Sequence, residues 1–230
     1  RLEKTDIDNV GVDASRFIRD QQGTRTKSSI SQRLVYDLTD SRLSPSEGYF
    51  LWLDSEFAGL GGDVEFISGK TGGSFFYPIA DEVVCDVLGE IGAFESWGGD
   101  DEVQVNDRYF LGGNTLRGFE NAGVGPRDLA TDDALGGNRF YRGSAEVSFP
   151  FGLYEEFGIK GHGFADVGSL WDVDDGGVGV VDDNSIRASV GAGVSWRSPI
   201  GPIRLDFATP VKDESYDDDE LFRFSFGTRF

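Results

Sequence analysis

The sequence predicts an all-β protein, a transmembrane antiparallel β-barrel, and three observations carry that prediction. Apolar residues recur at every second position over runs of strand length, as they do where one face of a strand is wet and the other is not. The polar positions of those runs hold charges of both signs together with many of the 33 glycines, which suits an aqueous lumen better than a packed core. Connections alternate between short and long, and aromatic residues gather at strand ends, as at Trp97, Trp171, Trp196 and Phe230, where interfacial girdles belong.

The clearest strand pattern spans 185–198. Ile186, Ala188, Val190, Ala192, Val194 and Trp196 alternate there with Arg187, Ser189, Gly191, Gly193, Ser195 and Arg197. Ile203, Leu205 and Phe207 alternate with Arg204, Asp206 and Ala208 in the next. Tyr141, Ala145, Val147 and Phe149 oppose Arg142, Ser144, Glu146 and Ser148. At the end of the chain Phe222, Phe224, Phe226 and Phe230 oppose Arg223, Ser225, Gly227 and Arg229. In all, strands are expected near 28–38, 49–58, 63–78, 83–97, 139–151, 157–171, 185–198, 201–210 and 220–230, with a further one ending near residue 9. Tight turns are expected at Pro78 to Asp81 and at Ser198-Pro199-Ile200-Gly201, and long connections at 98–138, 172–184 and 211–219. Short turns of outer-membrane barrels face the periplasm and long loops the exterior, so 98–138 is expected outside.

Composition narrows the function classes. The 41 acidic against 21 basic residues give a net charge of -20, which disfavours nucleic acid as a partner. His162 is the only histidine and Cys85 the only cysteine, so neither a histidine metal cluster nor an internal disulfide is expected. The acidic run through Asp172, Asp174, Asp175, Asp182 and Asp183 lacks the ligand spacing of an EF-hand loop and reads as a solvated loop. With no cofactor motif and no positioned nucleophile, the chain is not expected to be an enzyme. Met is absent and the first residues are Arg1-Leu2-Glu3-Lys4, so the sequence reads as a processed or partial chain, in which any N-terminal domains would not be seen.

The most informative stretch is Leu111-Gly112-Gly113-Asn114-Thr115-Leu116-Arg117-Gly118-Phe119, followed by Gly123-Val124-Gly125-Pro126. It lies within a connection of about 40 residues, far beyond the usual range for a structureless loop, so a docking role is expected. Residue parity supplies the dock. In 157–171, Lys160, His162, Phe164, Asp166 and Gly168 share one face, and Ile159, Gly161, Gly163, Ala165 and Val167 share the other. The charged set must face the lumen if lipid surrounds the barrel, which turns Phe164 and Asp166 inward, and Glu146 with them. An arginine on an inward-folded loop would meet two carboxylates and an aromatic ring. A plain internal salt bridge that keeps a loop from flapping would use the same residues. Gly118 permits a tight turn beside Arg117, and Phe119 reads equally as a packing plug or a functional contact.

These motifs together resemble the BamA family, the outer-membrane β-barrel assembly proteins of Gram-negative bacteria. The resemblance rests on Tyr36-Asp37-Leu38-Thr39-Asp40-Ser41-Arg42 with Pro45-Ser46-Glu47-Gly48, on Leu116-Arg117-Gly118-Phe119, on Phe164-Ala165-Asp166-Val167-Gly168 and on Ser198-Pro199-Ile200-Gly201-Pro202. Leu116 stands where the family usually has Val. The resemblance implies a sixteen-stranded barrel preceded by POTRA domains. Residues 1–230 would then supply part of a single barrel domain, about its last nine strands. It implies that 98–138 is an extracellular loop folded into the lumen, locked through Arg117, Gly118, Phe119, Glu146, Phe164 and Asp166. It further implies that Phe222, Phe224, Phe226 and Phe230 form one side of a lateral gate. The implied function is folding and inserting barrel proteins into the outer membrane. The implied partners are unfolded outer-membrane proteins, accessory assembly lipoproteins, outer-membrane lipid and lipopolysaccharide. A protein-translocating pore or autotransporter assembly factor of the same superfamily, or a passive porin-like channel, is the alternative.

Overall fold

The computed structural model describes residues 1–97, 104–152, 158–174, 177–199 and 201–227. In chain order the strands are β1 (Leu2–Ile7), β2 (Gly23–Asp37), β3 (Gly48–Ala58), β4 (Phe66–Ala80), β5 (Val83–Ser96), β6 (Arg127–Asp128), β7 (Asp133–Ala134), β8 (Arg139–Pro150), β9 (Ile159–Trp171), β10 (Val180–Val181), β11 (Arg187–Ser198), β12 (Gly201–Lys212) and β13 (Phe222–Phe226). One helical turn, α1 (Arg16–Arg19), precedes β2. Ten of the strands form one antiparallel sheet in the order β1-β2-β3-β4-β5-β8-β9-β11-β12-β13, each pairing with its neighbour in sequence apart from the small strands. Those small strands, β10-β6-β7, make a separate three-stranded sheet within the long connections.

The two faces of the large sheet differ as the alternation requires. On β5, Val87 and Ile91 are exposed on one face, while Glu90 and Phe94 are buried on the other. The contrast between Ile91 at 58 % and Glu90 at 8 % is opposite to what water would select, and it recurs across the sheet. Ile30, Leu51, Ile67, Phe75, Val167, Val190, Phe207 and Phe224 all stand on the exposed apolar face. A soluble monomer does not leave a continuous apolar surface of that extent open, whereas hydrocarbon covers it without cost. No described helix is long and apolar enough to cross a membrane, which says nothing of strands.

The clearest departures from the sequence expectation are at β2, at β4 and in the connection before β2. β2 begins at Gly23, where Ile7 of β1 pairs with it, ahead of the expected 28. β4 continues through Pro78 to Ala80 with a register irregularity there, so the turn is Asp81-Glu82, with Glu82 at φ 59°. A proline that cannot donate to the ladder is tolerated at such an irregularity, which is why it misread as a turn. The connection 8–22 holds α1, capped by the Ser15 hydroxyl accepting from the Phe17 N–H. A single turn is too short to show a helical period.

Candidate functional site

Residues 8–22, 59–65, 97–138, 172–186 and 213–221 connect strands at one end of the sheet, and 38–47, 81–82, 151–158 and 199–200 at the other. The longest of these, 97–138, turns back against the polar face. Its tip is a compact loop closed by the Gly113 N–H donating to the Phe119 carbonyl at 2.8 Å, with the Thr115 side chain bonded to both backbone groups of Gly112. Leu111, Leu116, Phe119 and Val124 pack into one cluster with Phe140 of β8 and Leu170 of β9. Phe119 is fully buried in that cluster.

That packing sets Arg117 over the inner wall. Its Nε and Nη2 donate to Asp166 Oδ2 and Oδ1, each at 2.7 Å, in a two-pronged pair that matches the planar guanidinium to the carboxylate. Its Nη1 donates to Glu146 Oε2 at 2.6 Å and its Nη2 to Ser144 Oγ at 2.9 Å. The guanidinium carbon lies 3.4 Å from the centre of the Phe164 ring, and the Arg117 backbone N–H also donates to Asp166. Ser189 of β11 donates its hydroxyl to the Arg117 carbonyl. Gly118 has φ +92°, and a Cβ there would sit 2.9 Å from that of Ser189, so a side chain at 118 would push the arginine off its seat.

The network runs further than sequence reasoning reached. Arg204 of β12 holds Glu146 through Nη1 at 3.0 Å and Nη2 at 2.7 Å, and holds Asp206 through Nε. Asp206 in turn lies 2.6 Å from His162 Nε2. Asp86 of β5 stands directly across from Glu146 in the ladder, with one oxygen buried and unpartnered. Parity would have put Arg204 and Asp206 on the inner face. Their partners follow only from the register between four strands, which the sequence does not state.

The terminal strand sets Phe222, Phe224 and Phe226 on the exposed face and Arg223 and Ser225 on the polar one. Among the described residues it pairs with β12 alone. Phe230 lies outside the described residues.

Residues 1–230 match the Omp85 superfamily domain. The chain belongs to the Omp85 superfamily. This Omp85 domain is 36% identical over 225 residues to an outer membrane protein assembly factor BamA of Neorickettsia risticii, covering 97% of this chain and 30% of the relative. It is 30% identical over 217 residues to the protein of the same name from Neisseria meningitidis serogroup B, covering 84% of this chain and 27% of the relative. The chain thus spans about three-tenths of the length of these relatives. In fold it resembles the crystal structure of BamA from Haemophilus ducreyi lacking POTRA domains 1-3. The TM-score is 0.78 at 24% identity, over 87% of this chain and 42% of that one. The ten-stranded sheet is the C-terminal portion of such a transmembrane barrel, so the polar face of this Omp85 domain lines the lumen and the apolar face meets lipid.

Proposed function

We propose that this chain is the C-terminal part of the barrel of an outer-membrane insertase of the BamA type. It would fold and insert other β-barrel proteins into the bacterial outer membrane, with POTRA domains N-terminal to it. The observation that carries this reading is the Arg117 lock, a loop tip folded onto the lumenal wall and held there by Asp166, Glu146 and Ser144. A diffusion channel gains nothing from a buried arginine seat in its lumen. The ends carrying short turns face the periplasm and 97–138 lies outside.

The work proposed is physical and makes or breaks no bond. A substrate strand arriving at the seam meets the edge of β13 that has no partner strand among the described residues. It pairs with the backbone N–H and C=O groups there, since open edges in hydrocarbon carry unsatisfied groups. Phe222, Phe224 and Phe226 present an apolar surface to lipid beside that edge. Arg117, Glu146, Phe164 and Asp166 hold β8 and β9, four and three strands from β13, in one shape, with Gly118 and Phe119 setting the loop tip. The partners are unfolded outer-membrane proteins, accessory assembly lipoproteins, and outer-membrane lipid with lipopolysaccharide.

The test uses the full-length parent protein in liposomes with an unfolded barrel substrate. Arg117→Glu and Asp166→Arg should each slow substrate folding by about tenfold or more, since stripping one partner from a buried pair costs roughly 3–5 kcal/mol. The double swap should recover much of the loss, with barrel content checked separately. A wild-type protein that conducts ions steadily and does not accelerate folding would leave a passive pore instead.

A further inference from the structure

Residues 112–127 also touch a second part of the barrel, the connection between β12 and β13. Arg127 is buried, and its Nη2 lies 2.6 Å from Asp218 Oδ2 in the connection between β12 and β13. Its Nη1 bonds the carbonyl and side chain of Asp132. The backbones of the two segments are joined as well. The Glu120 N–H donates to the Asp218 carbonyl at 2.8 Å, the Asp218 N–H to the Gly123 carbonyl at 2.9 Å, and the Glu220 N–H to the Gly118 carbonyl at 3.0 Å. Phe119 and Asp219 form an antiparallel bridge between them.

The contact continues onto the terminal strand itself. Ser225 of β13 donates its hydroxyl to Asn114 Oδ1 at 3.0 Å. The backbone at Gly113 lies so close to Arg223 of β13 that a Cβ there would come within 3.1 Å of the guanidinium carbon. The connection 213–221 is fixed in turn to the wall, because Arg187 Nε donates to Asp217 Oδ2 at 2.9 Å and the Ala208 N–H donates to the Leu221 carbonyl at 3.0 Å.

We infer that the loop carries a second anchor on the terminal hairpin, centred on Arg127 and Asp218, which couples β13 to the Arg117 lock. Arg127 and Asp218 are positioning residues. They hold the segment 118–123 in register with 218–220, and that ladder passes the position of the loop tip to the last strand. The hairpin β12–β13 and residues 112–127 therefore move as one body. An outward swing of β13 at the seam must either carry the loop tip away from Asp166 or part this ladder first. The functional consequence rests on the insertase reading above; the mechanical coupling does not.

The experiment is amide hydrogen exchange on the full-length protein in liposomes, run beside the substrate-folding assay. Asp218→Lys sets like charges against Arg127 and removes none of the side chains that Arg117 meets; Asp218→Glu keeps the charge. In Asp218→Lys, exchange should rise by about tenfold in 118–123 and 213–226 together, as expected when one cooperative unit opens. It should stay unchanged in 139–150 and 159–171, and Asp218→Glu should restore slow exchange. Exchange in 222–226 that stays within about twofold of wild type would overturn the coupling. So would a rise extending equally into 139–150 and 159–171, which is general loosening. If wild type fails to accelerate substrate folding, the insertase reading falls while the exchange pattern still decides the anchor.

Discussion

Arg117 spends its directional donors on three different side chains, and that geometry makes the residue irreplaceable by charge alone. A lysine at 117 would keep the positive charge but offer a point donor where Asp166 accepts a fork and Glu146 and Ser144 accept from the sides. Arg117→Lys should therefore weaken the seat by about 2 kcal/mol, the scale of one or two charge-assisted bonds lost. Amide exchange across 111–124 measures that local opening, and protection equal to wild type would show that charge alone suffices. Much of this seat was readable from the chain. The period of two put Glu146, Phe164 and Asp166 on one face, and the Gly-flanked arginine marked the loop tip. Ser144 and Ser189 were not readable as partners, because a serine on an inner face carries no sign of which neighbour it meets. Arg204 was missed for a different reason, since its hold on Glu146 crosses three strand interfaces.

Among the elements, strands with strict alternation, such as β9 and β11, could be placed from sequence, and the ones that could not be are short. α1 and the small sheet β10-β6-β7 have no period of their own, and they exist because other connections hold them. Ser15 donates its hydroxyl to Asp128 at 2.7 Å, and Phe17 packs with Leu135 and Val173. The acidic runs read as merely solvated are in part built into these connections: Asp182 accepts from the N–H groups of Asp172 and Val173, both at 2.9 Å. Asp183 is a titratable case. Burial opposes ionisation there, but hydrogen bonds from Tyr216 and Ser185 outweigh it and hold the carboxyl at about 2. Because its folded pKa is depressed, the stabilisation is present above the ordinary carboxylate value near 4 and fades as pH falls toward about 2. Burial, reinforced by the bond to Asp183, pushes Tyr216 up to about 12, so the pair is intact across the neutral range. Tyr216→Phe should shift the onset of acid-induced exchange in 183–187 and 213–221 to higher pH. An unchanged onset would show that Ser185 and Arg187 hold Asp183 without it.

For the whole molecule, the decisive property is which face meets lipid. Ile91 is exposed on the apolar face near the middle of β5, and Leu88 lies on the opposite face of the same strand. Ile91→Arg should cost about 2–4 kcal/mol of barrel stability, as a cation near the bilayer midplane does, and Leu88→Arg should cost under about 1 kcal/mol. Denaturant midpoints in bilayers read both, and the reverse ranking would turn the sheet inside out. This orientation was open to sequence reading because lipid and lumen alternate with the pleat. How the sheet's two edges meet was not, since the edge strands β1 and β13 pair only with β2 and β12 among the described residues.

The loop tip also makes the wall mechanically uneven. Through Arg117 it is tied to Ser144 and Glu146 on β8, Asp166 on β9 and Ser189 on β11, and through Glu146 to Arg204 on β12. Four adjoining strands thus share one internal rib. The inner faces of β2 to β4 meet the same loop through single polar contacts, Lys27 to Asp107 at 2.6 Å and the Tyr109 hydroxyl to the Gly69 carbonyl at 3.2 Å, while Arg33 with Asp54 at 3.5 Å and Lys70 with Asp54 at 3.9 Å are looser pairs. When bilayer thickness or curvature changes, the ribbed arc should bend less than β2 to β4, where each strand meets at most one polar side chain of the loop among the described residues.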